Sequence, residues 1–261
     1  GIKDKQWPRG HADQHILAKP ENAGLRPGAD ADRFTWLRRV CVDLAGLPPT
    51  VAQSREFTAH RSPAAPEKLV DRLLSSRAFG ERWARHWLDL VGYADQVGTS
   101  NNVFAQHAWR YRDYVINTFN DDKPFDTFIR EQIAGDLIAA DIRDVEQRAA
   151  SLTATGFLVL GDIEIVESDK AKLLVDIVDQ QLNKVGKAFL GLTLECARCH
   201  DHKFDPVSQR DYYAMAGRSE EHTPELQPLV NLVCRPLLEK KKNNNNTNNN
   251  KNKQRAALVD R

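Results

Sequence analysis

Two cysteines and a histidine lie close together in the last third of this 261-residue chain, in the order Cys196-Ala197-Arg198-Cys199-His200. The spacing Cys-x-x-Cys-His is typical of covalent haem c attachment. Each thiol can add to one vinyl group of a porphyrin, and an imidazole beside the second thiol can then bind the iron. The sequence therefore predicts thioether bonds at Cys196 and Cys199 and an axial iron ligand at His200.

Two other kinds of chemistry use part of the same segment. A Cys-x-x-Cys pair is also half of a structural zinc site, for which His202 is the alternative further ligand. Hydrogen bonding within the loop is the other role open to His202, and we favour it. A thioredoxin-type redox dithiol requires a strand-to-helix context, which is absent around Cys196. Haem c is therefore the leading cofactor prediction, and zinc is the alternative. In the second case the chain is a structural or interaction domain, whose Cys196, Cys199 and His202 bind zinc or simply pack without a metal.

A second axial ligand would decide whether the iron is closed or open to small molecules. His86 borders a predicted helix face rich in tryptophan, and it is the candidate distal ligand, although a hydrogen-bonded, half-buried histidine is common at such positions. His107 is a further candidate. Met215 is another, but a lone methionine more often fills a gap in a core. We expect a closed iron and hence electron transfer.

Arginines alternate with aromatic residues in the middle of the chain and offer another class of function. They could neutralise haem propionates or bind an anionic substrate, which would make the chain an enzyme domain completed by further C-terminal sequence. Exposed ion pairing is the commoner role, and we favour it. Aspartates nearby could form carboxylate pairs, but spacing alone does not bring them together, so no catalytic residue is assigned. The arginines are Arg82, Arg85, Arg110, Arg112 and Arg130, and the aspartates are Asp89, Asp95, Asp113 and Asp136.

Four segments carry a family resemblance. Residues 189–206 read Phe-Leu-Gly-Leu-Thr-Leu-Glu-Cys-Ala-Arg-Cys-His-Asp-His-Lys-Phe-Asp-Pro. The others include Asp-Leu-Ala-Gly-Leu-Pro-Pro-Thr at 43–50, Phe-Gly-Glu-Arg-Trp-Ala-Arg-His-Trp-Leu-Asp-Leu at 79–90 and Trp-Arg-Tyr-Arg-Asp-Tyr-Val at 109–115. They resemble the planctomycete cytochrome-C-type proteins. Gly92 departs from that resemblance, which leads us to expect Arg before the following Tyr-Ala-Asp.

The resemblance implies a large, exported protein built around domains of unknown function, and it establishes no activity. It implies an exported or periplasmic location. The motif, not the resemblance, predicts a haem c module that carries electrons within that larger protein. Other domains of the same longer protein are the expected partners. The resemblance identifies no redox partner.

The last residues, 218–261, do not continue this pattern. Arg218-Ser219-Glu220-Glu221-His222-Thr223 matches the translated start of a common sequencing adapter, and Asn231-Leu232-Val233-Cys234-Arg235 resembles its far end. An Asn/Lys tract follows. We therefore expect residues 218–261 to be a non-native, disordered tail and residues 1–217 to be a domain truncated at both ends.

Composition narrows the function classes. Residues 218–261 hold nine of the 37 Lys and Arg residues and five of the 36 acidic residues, so residues 1–217 carry a slightly negative formal charge. Nothing in that balance indicates nucleic acid binding. No stretch stays apolar and uncharged for about 18 residues, so no membrane span is expected.

The elements that must position the motif are helices. Apolar residues recur at helical spacing, which predicts a mainly α fold, an irregular multi-helix bundle with the Cys-x-x-Cys-His loop near its C-terminal end. Asp30 or Asp32 can begin the first clear helix and Gly46 can end it, while Thr50 and Gln53 form a capping box for a short helix. The first clear helix spans residues 30–45. The other predicted helices span residues 66–76, 81–95, 108–120, 125–140, 144–158 and 169–190, and a last one begins at Ser208.

The helix predicted at 81–95 has one apolar stripe that we expect to be buried, and Gly80 is expected to separate it from the helix before. The stripe consists of Trp83, Trp87, Leu90, Val91 and Ala94. The long helix at 169–190 is expected to lead the chain to Cys196.

Overall fold

The computed structural model describes residues 2–98, 103–161 and 167–220, with side chains up to residue 217. The chain divides into two compact units, Gly1–Asp71 and Arg72–Arg261. The described residues are mainly helical, which confirms the predicted fold class. The disorder predicted for the tail falls, from residue 221 onwards, outside the described residues, as does most of the link predicted at 161–168.

The first unit begins with three helices, and the chain leaves it within a fourth. They are α1 (His11–Asn22), α2 (Arg33–Ala45), α3 (Val51–Ala59) and α4 (Ala65–Leu74). The Asp32 carboxylate accepts hydrogen bonds from two amides of the first turn of α2 at 2.9 and 3.0 Å, and Thr50 and Gln53 form the predicted capping box. Gly46 ends α2 at φ = 73°, a conformation that favours glycine. α1 is the one described helix that was not predicted. It buries only Leu17, so its sequence does not need the repeating apolar residues by which a helix is recognised.

The second unit contains the remaining elements and two hydrophobic core clusters. Its elements are α5 (Arg77–Val91), the antiparallel strands β1 (Gln96–Val97) and β2 (Val103–Phe104), α6 (Ala108–Asn120), α7 (Phe125–Asp141), α8 (Val145–Ala154), a 3₁₀ turn (Thr155–Leu158), α9 (Lys170–Val185), a π turn (Gly186–Leu190), a second 3₁₀ turn (Leu194–Arg198) and α10 (Gln209–Glu220). Within the described residues, no helix is both long and apolar enough to span a membrane.

Two predictions for α5 are wrong. Gly80 lies inside α5, which begins at Arg77. A glycine is required there because a Cβ on Gly80 would stand 2.5 Å from the Ile116 carbonyl oxygen of α6. The predicted stripe is also displaced, since Trp83 and Leu90 are 38% and 48% exposed. The close approach of α6 selects small residues for much of the buried face. That face consists of Gly80, Ala84, Trp87 and Val91.

The first core cluster surrounds the ring of Trp87. Its centroid lies 4.8 Å from that of Phe128 on α7, 5.9 Å from Phe157 and 5.7 Å from Phe189. Aromatic pairs at such distances contribute about 0.5–1.5 kcal/mol each beyond the burial of their area. The cluster therefore ties α5 and α7 to the π turn that follows α9.

The second core cluster joins α9, the Leu194–Arg198 turn and α10. A Cβ on Gly186 would stand 2.6 Å from Cγ of Leu194, so the end of α9 packs directly against this turn. The cluster consists of Val178, Leu182, Leu194, Ala197, Val207, Tyr212 and Ala216. It is the part of the molecule that holds the Cys-x-x-Cys-His segment in place.

Candidate functional site

The Cys-x-x-Cys-His segment presents its reactive side chains outward. Leu194 and Ala197 are 1% and 0% exposed in the second core cluster, whereas Cys196, Cys199 and His200 are exposed. A 3₁₀ turn has three residues per turn, so Leu194 and Ala197 fall on the same side. Their burial leaves both thiols and the imidazole facing solvent.

The thiols and the imidazole are chemically available. Cys196 and Cys199 are free cysteines. Nδ1 of His200 lies 2.8 Å from the carbonyl oxygen of Asp201. Because a carbonyl oxygen only accepts, Nδ1 carries a proton and donates it to this contact. Histidines that bind metals usually donate their other ring N–H to a carbonyl or carboxylate in this way. The donor set therefore fits a haem c, for which the two Sγ atoms and Nε2 are needed.

Arg198, inside the motif, is held by α9. Its Nη2 lies 2.9 Å from Oδ1 of Asp176 and its Nη1 lies 2.9 Å from Oδ2 of Asp179. The hydrogen bond with Asp176 is the main reason that the pKa of Arg198 is raised above its usual range. Hydrogen bonds from Lys172 and Arg198 lower the pKa of Asp176. The ionised forms of these groups therefore stabilise one another.

His202 shapes the loop that follows the motif. Its Nδ1 accepts hydrogen bonds from the amides of Phe204 and Asp205 at 3.1 and 2.6 Å. The proton therefore lies on Nε2, which is 2.9 Å from Oγ1 of Thr193. The Thr193 hydroxyl in turn donates to Oδ2 of Asp205 at 2.9 Å. Both ring nitrogens are thus used within the loop, which is the role that the sequence favoured.

The other candidate ligands lie elsewhere. His86 is exposed on α5, and its ring lies 5.4 Å from that of Trp83. Among the described residues, no hydrogen bond or ring contact joins His86 to the motif. His107 is exposed just before α6, whereas Met215 packs against the second core cluster. Distal ligation by His86 stays a prediction.

The arginines singled out by the sequence mostly form ordinary surface contacts. Arg130 pairs with Asp126 four residues earlier, and the guanidinium carbon of Arg110 lies 5.5 Å from the ring centroid of Trp109. Arg82 is half-buried, and its Nε has no hydrogen-bond partner. Exposed pairs of this kind contribute little to stability.

Two of the four aspartates, Asp95 and Asp113, act on the same tyrosine. The Tyr93 hydroxyl donates to Oδ1 of Asp95 at 2.8 Å, and Arg112 pairs with Asp113 at 2.9 Å. Burial, then the Asp95 hydrogen bond, raises the pKa of Tyr93 to about 12, and the charges of Arg112 and Asp113 also act on it. Asp95 and the Arg112–Asp113 pair therefore both act on Tyr93, which residue spacing alone did not predict.

A buried polar network inside the first core cluster was missed as well. Nε1 of Trp87 donates to the Tyr111 hydroxyl at 3.0 Å, and that hydroxyl donates to Oε1 of Gln132 at 2.6 Å. Burial raises the pKa of Tyr111. The signal that could have found this network is the amide of Gln132, a polar residue on the inner side of α7, because a buried amide requires partners.

The Tyr114 hydroxyl makes a parallel contact. It donates to Oε2 of Glu131 at 2.5 Å, and Nζ of Lys123 donates to the same oxygen at 2.6 Å. Burial, then the Glu131 hydrogen bond, raises the pKa of Tyr114.

In the part of the chain that the structure describes, no group of three or more His, Cys, Asp or Glu side chains is arranged to hold a metal ion.

Comparison with known proteins identifies one family. The family model described as PSCyt2, protein of unknown function (DUF1549), matches residues 11–222. That range includes all four segments that carried the resemblance and ends two residues beyond α10. No curated protein and no solved structure matches the chain. Because the family model covers most of its length, the chain belongs to the PSCyt2 family, a planctomycete cytochrome-like domain of unknown function.

Proposed function

We propose that this domain holds a haem c covalently through Cys196 and Cys199, with His200 as an axial ligand, and that it transfers electrons. The observation that supports this best is the arrangement of the motif. Ala197 is fully buried and Arg198 is held by ion pairs, while both thiols and the imidazole are exposed. Bound haem would supply an iron centre that gains and loses one electron.

The residues of the chain would bind and orient that group. The Asp201 carbonyl holds the ring of His200 through Nδ1, which directs Nε2 outward. Two exposed aromatic side chains lie in the same part of the chain: Phe204 is 82% exposed, and Tyr213, whose hydroxyl donates to the Arg198 carbonyl, is 55% exposed. Such exposed apolar surface is what a porphyrin could cover.

We also propose that the protein is exported and that other domains of a longer chain are its partners. The support for both is the family resemblance. Covalent haem on an exposed surface would suit electron exchange with a neighbouring domain, because short distances to the haem edge favour transfer.

The test is production of the protein in a host that attaches haem c. We expect red protein that keeps its haem through acid-acetone extraction and shows a reduced α-band. Cys196→Ser and Cys199→Ser should each leave a single thioether, and the double variant should lose the haem. Cys41→Ala, in the buried face of α2, is the matched control and should keep it. Folded, colourless protein with one zinc ion per chain would instead support the zinc site.

Carbon monoxide binding to the reduced protein tests the sixth position. A closed iron should respond slowly or not at all, and a fast response that appears only in His86→Ala would identify His86 as the distal ligand. Rapid binding by the unmutated protein would show an open iron and would favour catalysis at the metal.

A further inference from the structure

We propose that Arg198 is a positioning residue, which fixes the direction of Cys196, Cys199 and His200 before any haem is attached. This inference rests on the proposed function, because it assigns the role in haem attachment to a side chain that never touches the haem. The motif requires cysteines and a histidine at three positions and leaves the two intervening positions open. Arg198 occupies one of those two positions, and its side chain forms two ion pairs.

The side chain of Arg198 is fixed from α9. Its two Nη atoms reach different carboxylates, Asp176 and Asp179, each at 2.9 Å. Those aspartates are three residues apart and therefore lie on the same face of the helix. The planar guanidinium can satisfy both only in one orientation, which a lysine ammonium does not require. Arg198 is 32% exposed and Asp179 only 13%, so solvent screens this contact less than an open surface pair.

The backbone of Arg198 is fixed from α10. Its carbonyl oxygen accepts hydrogen bonds from Nε2 of Gln209 at 3.1 Å and from the hydroxyl of Tyr213 at 3.2 Å. The Tyr212 hydroxyl donates to Oδ1 of Asp179 at 2.5 Å and so holds that carboxylate in place. Arg198 is therefore held on both sides, by its side chain and by its carbonyl.

The consequence concerns the residues next to Arg198. Cys199 and His200 follow it directly, and both are exposed without a buried anchor of their own. Leu194 and Ala197 anchor the turn before Arg198, but they do not fix the peptide that leads to Cys199. With Arg198 held, the two thiols and the imidazole keep one mutual arrangement. Groups held in a productive geometry react faster because less order must be gained during the reaction.

The test compares substitutions in the full chain, produced in a host that attaches haem c. Arg198→Gln removes both ion pairs and Asp179→Asn removes one carboxylate charge with little change of shape. Arg198→Lys keeps the positive charge but loses the planar guanidinium, whose two Nη atoms contact both carboxylates. Arg148→Gln and Arg148→Lys are the matched controls, since Arg148 is exposed on α8. Covalent haem per folded chain, the midpoint potential of the attached haem and hydrogen exchange of the segment in unmatured protein are measured.

We expect Arg198→Gln to carry about 5- to 30-fold less haem per folded chain, as the loss of one or two kcal/mol in a preceding equilibrium would give. Arg198→Lys and Asp179→Asn should fall between it and the unmutated chain, and the remaining haem should have a shifted potential. The amides around Cys199 should exchange faster in the unmatured variants. Both Arg148 variants should match the unmutated chain in all three measurements.

Unchanged haem content, potential and exchange in Arg198→Gln would overturn the inference. If Arg198→Gln fails to fold, unchanged haem content, potential and exchange in Asp179→Asn would overturn the inference instead. Asparagine has nearly the volume of aspartate, and its side-chain oxygen can still accept the hydrogen bond from Tyr212. If the unmutated chain binds no haem, the proposed function fails, yet faster exchange in Arg198→Gln than in Arg148→Gln would still establish the positioning of the segment.

Discussion

At the scale of single residues, His202 is the histidine whose surroundings define its role most fully. Its side chain is only 7% exposed, and its Nδ1 is the acceptor for two successive backbone amides. One of those hydrogen bonds is exposed and the other is part-buried. A typical intramolecular hydrogen bond contributes about 0.5–1.5 kcal/mol to stability, and removing the ring removes both of them.

We therefore expect His202→Ala to lower the free energy of unfolding by about 1–3 kcal/mol, measured by urea denaturation. Lys203→Ala is the control, because Lys203 is its exposed neighbour and surface substitutions usually stay within about 0.5 kcal/mol. Unchanged stability of His202→Ala, together with loss of a bound zinc ion, would return His202 to the role of metal ligand.

Tyr93 gives a prediction about pH. Its pKa is raised from 10.0 to about 12, first by burial and then by the hydrogen bond to Asp95. Folding therefore favours the protonated phenol, and this contribution to stability is complete below pH 10 and is lost as the pH rises towards 12. Asp95→Asn should move the phenol transition to lower pH in an ultraviolet titration, with Tyr93→Phe to identify it. An unmoved transition would mean that burial alone sets this pKa.

At the scale of elements, the contact between α5 and α6 depends on a glycine. Replacing Gly80 by Ala would place Cβ 2.5 Å from a backbone oxygen of α6, so the two helices must move apart. We expect Gly80→Ala to destabilise the protein by about 1–3 kcal/mol, the usual cost of overpacking. This outweighs the gain of roughly 1 kcal/mol in helix propensity.

Gly217→Ala is the matched control for this change. Gly217 is also helical, in α10, and no described residue lies within 4 Å of the position its Cβ would take. The substitution should be neutral or slightly stabilising. Thermal unfolding of the two variants distinguishes a steric effect from a propensity effect, and equal midpoints would show that α5 and α6 can separate without cost.

The success of sequence-based prediction depends on the kind of signal that each element carries. Asp32, Gly46 and the Thr50–Gln53 pair act on their own helices, and their effects were predicted because capping is local. The face that α5 buries was not, since it is set by the approach of another helix to Gly80. For the site, the motif and the loop role of His202 were identified from spacing, but Asp176 and Asp179, about 20 residues from Arg198, carry no sign in the sequence of their contact.

At the scale of the whole molecule, the motif belongs to one of two core clusters. The second cluster includes Ala197 of the motif as well as residues of α9 and α10. Attachment of a group at Cys196 and Cys199 should therefore stabilise these elements first. Hydrogen exchange of matured and unmatured protein should show its largest difference in α9, the Leu194–Arg198 turn and α10. An equal effect throughout residues 2–71 would contradict this location.

The π turn after α9, Gly186–Leu190, contains one more residue than a regular α-helix needs. The Gly191 amide donates to the Gly186 carbonyl, so this turn holds one residue more than an α-helix would use over the same span. The extra residue adds chain length between α9 and the motif. The same turn contains Phe189, which contacts the ring of Trp87. Deleting the exposed Lys187 should let the segment relax into a regular helix, with unchanged helical circular dichroism. A loss of helicity would show that the extra residue is needed where it stands.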